Sequence, residues 1–255
     1  MKKLPVSGSE DVYTDLKFGT KRGILNNNCY AWALGNYKGS GGYKLQPGNL
    51  AGESNDMDAS SCSFLRQRVL DDNRARGIMV VDPTKKCPKG FYKIMAFIDQ
   101  GNDYHWYKQH KDLLYRVTNG ETLATISKDL GVPLKNVVSP RPVPRPNDLV
   151  YVKDAKTFSH KQGFATGPLL RDASRKTIPD PRKANRNYGD FNYKTFCGAY
   201  CVKNVDKAAV DKAAMDKAAA NKEVEKSDPL LQKRRRKVGA DVKKSLKLGT
   251  RRRKV

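Results

Sequence analysis

The spacing of apolar and polar residues predicts two helices in the first third of the chain. The asparagine run at positions 26–28 supplies a helix N-cap, so a short helix is expected from Cys29 to Gly35. A second helix is expected from Cys62 to Asp72, behind a cap at Ser60 or Ser61. Three apolar positions give this second helix one buried face: Phe64, Val69 and Leu70.

Runs rich in β-branched and aromatic residues predict an antiparallel sheet after these helices. Residues 77–81 form one predicted strand, and residues 90–98 and 104–108 flank a Gln-Gly-Asn-Asp turn as a hairpin. Residues 156–161 and 195–202 are expected to add two further strands. The pattern therefore predicts helices packed on a sheet.

Residues 113–153 interrupt the predicted sheet with a pattern of their own. A short strand near residue 115 is followed by a helix over 122–130, a second short helix over 132–138 and a strand over 149–152. The first and last strands are expected to pair antiparallel, which brings the ends of the unit together and allows its insertion into a hairpin. The two strands that flank the unit would then be neighbours.

This strand–helix–helix–strand unit resembles the LysM domain. The resemblance rests on the Gly-Glu-Thr-Leu turn at 120–123, the apolar helix positions and the Gly131-Val132 junction. It departs at 145–148, Arg-Pro-Asn-Asp, where LysM domains usually show Pro-Gly. It implies that the loops 119–123 and 140–148 bind N-acetylglucosamine-containing polymers, peptidoglycan or chitin. The implied glycan-binding residues are Asn119, Gly120, Glu121, Thr122, Leu123, Asn147 and Asp148. A LysM-shaped spacer without glycan affinity is the alternative.

Three residues in these elements have the chemistry of a hydrolytic site. At a helix start, unpaired N–H groups and the positive end of the helix dipole favour a thiolate, here at Cys29. His105 and His160 lie on predicted strands that the inserted unit would bring together, so both can face the same side. A thiol and an imidazole in this arrangement are typical of a nucleophile and its base. The third histidine, His110, is expected to be exposed.

The order of Cys29, His105 and His160 along helix and strands resembles the NlpC-type branch of papain-like cysteine peptidases. The resemblance implies an α+β fold in which Cys29 is the nucleophile, His105 the base and His160 the residue that orients the base. The Asp-Cys-Ser-Gly box of that branch is replaced by Asn-Cys-Tyr-Ala at 28–31, a form closer to uncharacterised phage and large-virus proteins. The alternative is a buried helical cysteine with two hydrogen-bonded sheet histidines.

The predicted organisation has four parts. A papain-like core of N-terminal helices on an antiparallel sheet spans residues 1–112 and 154–205, with the LysM-like βααβ insertion at 113–153. Residues 206–229 repeat the pattern Asp-Lys-Ala-Ala and predict a helical spacer without a continuous apolar stripe. Residues 230–255 carry 12 basic residues and one acidic residue, so this tail is expected to be disordered when free.

Charge adds a prediction about partners. Lysine and arginine outnumber aspartate and glutamate by 50 to 26, a formal net charge of +24. We expect the basic tail to bind nucleic acid or an acidic virion surface in a salt-dependent manner, or to act as a nuclear-import signal. The residues predicted to bind polyanions are Lys233, Arg234, Arg235, Arg236, Lys237, Arg251, Arg252, Arg253 and Lys254.

The cysteine pattern predicts free thiols. Five cysteines are an odd number and not dense, which favours a reducing compartment over a disulfide scaffold. Cys62 is expected to pack in the core. Cys197 and Cys201 are four residues apart, so they would share one face of a strand as core or edge cysteines. No metal site is predicted, because no second pair has the required spacing, and no other cofactor is predicted.

Export and membrane signals are not expected. The segment after Met1-Lys2-Lys3 is polar, where a signal peptide needs an apolar run of about 7–15 residues. No apolar run reaches about 18 residues, so no membrane partner is expected. These patterns favour the virion, or the host cytoplasm or nucleus, as the location.

Three functions are compatible with the sequence. The first is a cell-wall-directed cysteine hydrolase, viral or virion-associated, that cleaves an amide or peptide bond through a thioester while the LysM-like insertion holds a glycan. The second is a non-catalytic virion structural protein, a minor capsid or genome-associated component that uses the basic tail. The third is a host-directed effector whose tail is a nuclear signal.

Overall fold

The computed structural model describes residues 2–37, 44–53 and 61–205 of the chain. The predicted spacer at 206–229 and the basic tail at 230–255 lie outside the described residues. The described part is α+β, with antiparallel sheets and few helices. No helix within it combines the length and the apolar character that crossing a membrane requires.

The elements of the described residues are numbered in chain order. The α-helices are α1 (Lys21–Asn26), α2 (Cys29–Leu34), α3 (Cys62–Asp72) and α4 (Leu123–Leu130). The strands are β1 (Ile78–Val81), β2 (Phe91–Asp99), β3 (Asp103–His110), β4 (Leu113–Arg116), β5 (Val137–Val138), β6 (Leu149–Val152), β7 (Thr157–Lys161), β8 (Pro168–Leu169) and β9 (Thr195–Lys203). Short 3-10 helices lie at Asn49–Ala51, Leu134–Asn136 and Pro181–Lys183.

The helices begin where polar side chains cap them. Asn28 accepts a hydrogen bond from the Ala31 N–H at the start of α2, and Gly35 ends that helix at a φ of 67°. Ser61 caps α3 through the Phe64 N–H. Both predicted helices are confirmed, whereas α1 is a helix that the pattern does not predict. The buried residues of α3 are Leu65, Arg68 and Val69. Of the three residues predicted to be buried, only Val69 is; Phe64 and Leu70 are half-buried. The helix packs against β9.

A six-stranded sheet in the order β1-β9-β2-β3-β7-β8 forms the centre of the fold, and all its neighbouring strands are antiparallel. The predicted hairpin is β2–β3, in which Phe97 pairs with His105. Tyr107 of β3 pairs with His160 of β7. The prediction that the inserted unit leaves its two flanking strands adjacent is confirmed.

The inserted unit forms a separate three-stranded sheet in the order β4-β6-β5. Leu113 at its start pairs with Val152 near its end, so the ends of the unit meet. The predicted second helix is wrong: the chain makes a 3-10 turn and then β5, because Val137 and Val138 pair with β6. The unit therefore consists of a strand, a helix, a 3-10 turn and two further strands.

The two faces of the six-stranded sheet bury different clusters. One face packs against α2 and α3 and places Trp106 in a cluster with Leu65. The opposite face places Tyr107 in a cluster with Phe158. Because side chains alternate along a strand, the odd-numbered residues of β3 point away from the helices. His105 therefore lies on the same face as Tyr107.

Four of the five cysteines are paired. Cys62 on α3 bonds Cys197, and Cys87 before β2 bonds Cys201, so both disulfides end on β9. The prediction of free thiols at these four positions is therefore wrong. Cys62 packs against the core and also forms a disulfide. Cys29 is the free cysteine. Disulfides persist in oxidising environments, which argues against the expected reducing compartment.

Cys197 and Cys201 lie on opposite faces of β9, not on one face as predicted. The register of β9 against β2 shifts at Cys197, which the pairing skips. Gly198 takes a φ of 135° at this bulge, a conformation that residues with a side chain rarely adopt. The bulge turns Cys197 towards the cluster under α3, whereas Cys201 pairs with Lys93 on the other face.

A buried ion pair joins the N-terminal segment to the sheet. Lys108 Nζ lies 2.5 Å from Asp11 Oδ2, and the lysine side chain is 4% exposed. Burial by itself raises the pKa of Asp11, but the Lys108 ammonium and a hydrogen bond from Asn204 together hold that pKa below its ordinary value. A carboxyl with a lowered folded-state pKa stabilises the fold above about pH 4, and this contribution disappears as the pH falls through the folded-state pKa.

Replacing Asp11 with asparagine is expected to lower the free energy of unfolding at pH 7 by roughly 3 kcal/mol, because it leaves a buried ammonium without a counter-charge. Urea unfolding measures this difference, which should shrink below about pH 4. Asp15→Asn is the matched control, since Asp15 pairs with Arg116 at a partly exposed site and such pairs contribute about 0–1 kcal/mol. If Asp11→Asn and Asp15→Asn lowered the free energy of unfolding equally, the Asp11–Lys108 pair would not be the more strongly stabilising of the two.

Candidate active site at Cys29 and His105

Cys29 lies in the first turn of α2, with its thiol against the main chain of β3. The residue is buried, and Sγ lies 3.8 Å from the Tyr104 carbonyl oxygen. The neighbouring Asn28 caps the helix and donates from Nδ2 to the Leu45 carbonyl and the Tyr104 hydroxyl. The asparagine therefore fixes the thiol at the helix start, in the predicted place.

The Cys29 thiol is protonated at neutral pH. Burial raises the pKa of this thiol, and the Asp103 carboxylate raises it further. The Trp106 N–H and the Lys161 ammonium act in the opposite direction without offsetting burial. The thiolate expected at the helix start is therefore not formed in this state, because desolvation outweighs the dipole of a six-residue helix.

His105 and His160 form a hydrogen-bonded pair on the face of the sheet away from α2. His105 Nε2 lies 2.9 Å from His160 Nδ1, and His160 Nε2 lies 2.9 Å from the Arg171 carbonyl oxygen. A carbonyl only accepts, so His160 carries its proton on Nε2, and its Nδ1 accepts from His105. His105 therefore carries its proton on Nε2 and keeps a lone pair on Nδ1.

Both imidazoles of this pair are neutral at pH 7. Burial lowers the pKa of His105 well below its ordinary value, and the neighbouring His160 and Arg186 add to this effect. Burial also lowers the pKa of His160 to about 4. Neutral imidazole is the form that accepts a proton. Nδ1 of His105 has no hydrogen-bond partner among the described residues.

Cys29 and His105 line the same cleft, which has a volume of about 230 Å³. Asp103 and Phe164 lie beside them in its wall. Within the described residues no hydrogen bond joins Cys29 Sγ to either histidine. The thiol approaches the main chain of β3, while the His105 ring leaves that strand on the face away from α2. The structure brings the predicted nucleophile and base into one cleft without direct contact.

His110 is buried, not exposed as its place at a strand end suggests. Its Nε2 lies 2.7 Å from Ser159 Oγ, and its Nδ1 lies 3.1 Å from the Asp11 carbonyl oxygen. The Asp11 carbonyl only accepts, so His110 carries its proton on Nδ1 and its Nε2 accepts from the serine hydroxyl, which in turn accepts from Trp32 Nε1 at 2.9 Å. Because His110 and Ser159 are sealed in the core, this network holds α2 to β3 and β7 and has no access to a substrate.

Three polar residues near Cys29 carry no signal in the sequence. Asp103 accepts a hydrogen bond from the Tyr193 hydroxyl at 2.8 Å, and burial raises its pKa. Gln46 lines the cleft and accepts from a neighbouring tyrosine hydroxyl. Lys161 donates to two main-chain carbonyls, and burial lowers its pKa to about 8. These residues are distant from Cys29 in the chain, so only the fold identifies them.

The two loops predicted to bind glycan lie side by side. The Val117 N–H donates to the Asp148 carbonyl, and the Val117 carbonyl accepts from the Asn147 N–H. The two carboxylates are engaged within the unit: Glu121 accepts from a tyrosine hydroxyl at 2.6 Å, and Asp148 pairs with an arginine. The exposed members of the predicted glycan-binding set are Asn119, Gly120, Thr122 and Asn147, and Leu123 is half-buried.

The predicted polyanion-binding residues, from Lys233 to Lys254, lie outside the described residues. In the described ranges, no group of three or more His, Cys, Asp or Glu side chains is placed to hold a metal ion. Comparison with known proteins finds no matching family model, curated protein or solved structure. A functional assignment therefore has to come from the geometry of the cleft.

Proposed function

We propose that the cleft at Cys29 and His105 is the active site of a cysteine hydrolase that cleaves an amide or peptide bond. Cys29 Sγ attacks the carbonyl carbon while its proton passes to Nδ1 of His105. The C–N bond then breaks, the leaving nitrogen takes that proton, and a thioester is left on Cys29. Water adds to the thioester, releases the acid and restores the thiol.

One observation carries this proposal. The hydrogen bonds from His105 to His160 and from His160 to the Arg171 carbonyl leave Nδ1 of His105 as a proton acceptor. That ring lines a cleft together with Cys29, the free thiol of the chain. A neutral base and a neutral thiol in one cleft are the two groups that general-base activation of a nucleophile requires.

His160 is a positioning residue in this mechanism. The bond to the Arg171 carbonyl fixes its tautomer, and this in turn fixes which nitrogen of His105 is free. The Tyr193 ring stacks on His105 with 4.7 Å between ring centres, which restrains the base further. The thiol and the His105 ring lie on opposite sides of β3, so the proton passes between them through one water in the cleft, a route that general bases use.

Three features support a wall polymer as substrate and a virion as location. The resemblance of the insertion to LysM, with its two loops adjacent, supports binding of an N-acetylglucosamine-containing polymer, peptidoglycan or chitin. The basic tail supports attachment to nucleic acid or an acidic virion surface. The two disulfides favour the virion over the host cytoplasm or nucleus, because such bonds persist on virion surfaces.

Cys29→Ser is expected to abolish the release of new amine ends from purified peptidoglycan or chitin, because a hydroxyl of much higher pKa replaces the nucleophile in nearly the same volume. The assay counts amine ends released by wild type and variant at equal concentrations. Sedimentation with the insoluble polymer is the control, and binding should be equal for the two proteins. Amine release by both proteins alike, or by neither, would overturn the proposed hydrolysis.

A second candidate function is that of a non-catalytic virion protein. The burial of the Cys29 thiol, its raised pKa and the lack of a hydrogen bond to a histidine among the described residues favour it. Such a protein would co-sediment with the polymer and be abundant in particles, and Cys29 would be inert. The amine-release assay separates the two functions, since only the hydrolase depends on Cys29.

A further inference from the structure

A second cleft, of about 430 Å³, lies where the inserted unit meets the host. Its wall is formed by the end of α4 at 128–131, the segment 155–157 that enters β7, and residues from the 171–179 segment. It shares no lining residue with the Cys29 cleft or with the two loops predicted to bind glycan. It is therefore a separate candidate site.

The second cleft is strongly basic. Its wall contains one carboxylate, Asp129, and six basic side chains. The basic residues are Lys3, Lys128, Lys156, Arg171, Arg175 and Lys176. Like charges gathered in a concave site raise the local positive potential and attract anions.

Only part of this charge is neutralised within the described residues. Arg171 Nη2 lies 3.0 Å from Asp129 Oδ2. Lys3 Nζ donates to the Leu130 and Gly131 carbonyls at the end of α4, at 2.8 and 2.9 Å. The side chains without an ion pair or hydrogen bond to another described residue are Lys128, Lys156, Arg175 and Lys176. Four cations thus border one cleft without an ion pair to a described residue; Lys156 is half-buried, and the other three side chains are exposed.

Two tight turns border the cleft. Within the described residues, four non-glycine residues have a positive φ, and two of them are Lys156 at 46° and Arg175 at 61°. The left-handed conformation costs a residue with a side chain about 1–2 kcal/mol. The Arg175 N–H donates to the Asp172 carbonyl and the Lys156 N–H to the Lys111 carbonyl, so both residues are held by main-chain hydrogen bonds.

The lining also limits the ligand. Among the described residues no aromatic ring lines the cleft, and its apolar wall consists of Leu130, Ala155 and Pro179. Single-stranded nucleic acids are usually held by aromatic side chains on which bases stack. A cavity of this size falls within the range of sites for small molecules, about 300–1,000 Å³. The composition therefore favours a compact anion with several charges and no aromatic ring.

We propose that this cleft binds a sugar or polyol that carries phosphate or sulfate groups. Lys156, Arg175 and Lys176 contact the oxyanion groups, and Arg171 exchanges part of its bond to Asp129 for the ligand. The small apolar residues contact the carbon ring. This site does not depend on the hydrolase chemistry at Cys29.

Calorimetry of the full chain with inositol hexakisphosphate, at about 0.15 M ionic strength, tests the site. The variant is Lys156→Ala/Arg175→Ala/Lys176→Ala. The matched control is Lys85→Ala/Lys86→Ala/Lys89→Ala, which removes the same charge from exposed positions outside the cleft. The tail is present in all three proteins, so the isotherms are fitted with a tail class of sites common to all three, and the cleft affinity is the component that differs in the cleft variant. We expect at least a tenfold loss of affinity in the cleft variant and little loss in the control.

Two readouts make the outcome decisive. The melting temperature of wild type should rise with inositol hexakisphosphate, and the rise should be largely lost in the cleft variant. If the triple variant folds poorly, the exposed single change Lys176→Ala should still weaken binding several-fold. Equal affinity in all three proteins, or no binding by wild type, overturns the proposal. Tighter and cleft-dependent binding of oligo-dT would assign the site to nucleic acid instead.

Discussion

Replacing His105 with glutamine is expected to lower the rate of wall-polymer hydrolysis by about 10²–10⁴-fold, the usual contribution of a general base. The glutamine amide can still donate to Nδ1 of His160 and fills a similar volume, so packing changes little. It has no atom that takes the Cys29 proton, and the thiol, whose pKa burial raises, stays protonated. Initial rates of amine release at equal concentrations of folded protein measure the effect.

Tyr188→Phe is the matched control for that experiment. It removes a hydroxyl that lies 3.3 Å from His160 Nε2 and leaves the bond from His160 to the Arg171 carbonyl. The base on His105 is retained, so the rate should stay close to that of wild type. A His105→Gln enzyme as fast as wild type would show that another group activates Cys29, and Lys161, whose ammonium lowers the pKa of the thiol, would be the next candidate.

The second large effect concerns the disulfides. Replacing Cys87 and Cys201 together with alanine is expected to lower the free energy of unfolding by roughly 3–5 kcal/mol, since the bridge closes a long loop of the unfolded chain. The two cysteines are 114 residues apart, and Cys62 and Cys197 are 135 residues apart. Urea unfolding under non-reducing conditions measures the loss, and the Cys62→Ala/Cys197→Ala pair should show a loss of similar size.

Thiol titration of the denatured, unreduced protein gives an independent check on the disulfides. We expect one reactive thiol per chain, from Cys29. Cys29→Ala is the control for the unfolding experiment, because it removes a cysteine without removing a cross-link. Five reactive thiols, or double variants as stable as wild type, would contradict both disulfides and restore the expectation of a reducing compartment.

Local signals in the sequence were enough for most of the core elements. Asn28 and Ser61 cap helices at the predicted positions, and the β2–β3 hairpin follows its turn residues. Pairing of β3 with β7 followed from the insertion of a unit whose ends meet. The disulfides could not be found in this way, because each joins segments more than a hundred residues apart. The bulge at Gly198, which separates Cys197 from Cys201, also depends on the register with β2.

The site was only partly predictable for the same reason. That His105 and His160 face one side followed from strand alternation and pairing, and the structure confirms it through their hydrogen bond. Strand alternation also puts Tyr104 and Trp106, not His105, on the face that meets α2, so the same pattern separates His105 from the helix that carries Cys29. The pKa of Cys29 depends on burial, which the helix-start pattern does not report.

Whether Cys29 and His105 act together can be measured without a substrate, from the pH dependence of Cys29 alkylation by iodoacetamide, followed by mass spectrometry in wild type and His105→Gln. Wild type should react below the ordinary thiol pKa of about 8.5, because neutral His105 takes the proton as the protonated thiol attacks, and the rate should fall as the pH drops through the lowered pKa of His105. The variant should react only at high pH, because burial raises the pKa of the thiol. An inert Cys29, or the same profile in both proteins, would contradict a shared Cys29–His105 site.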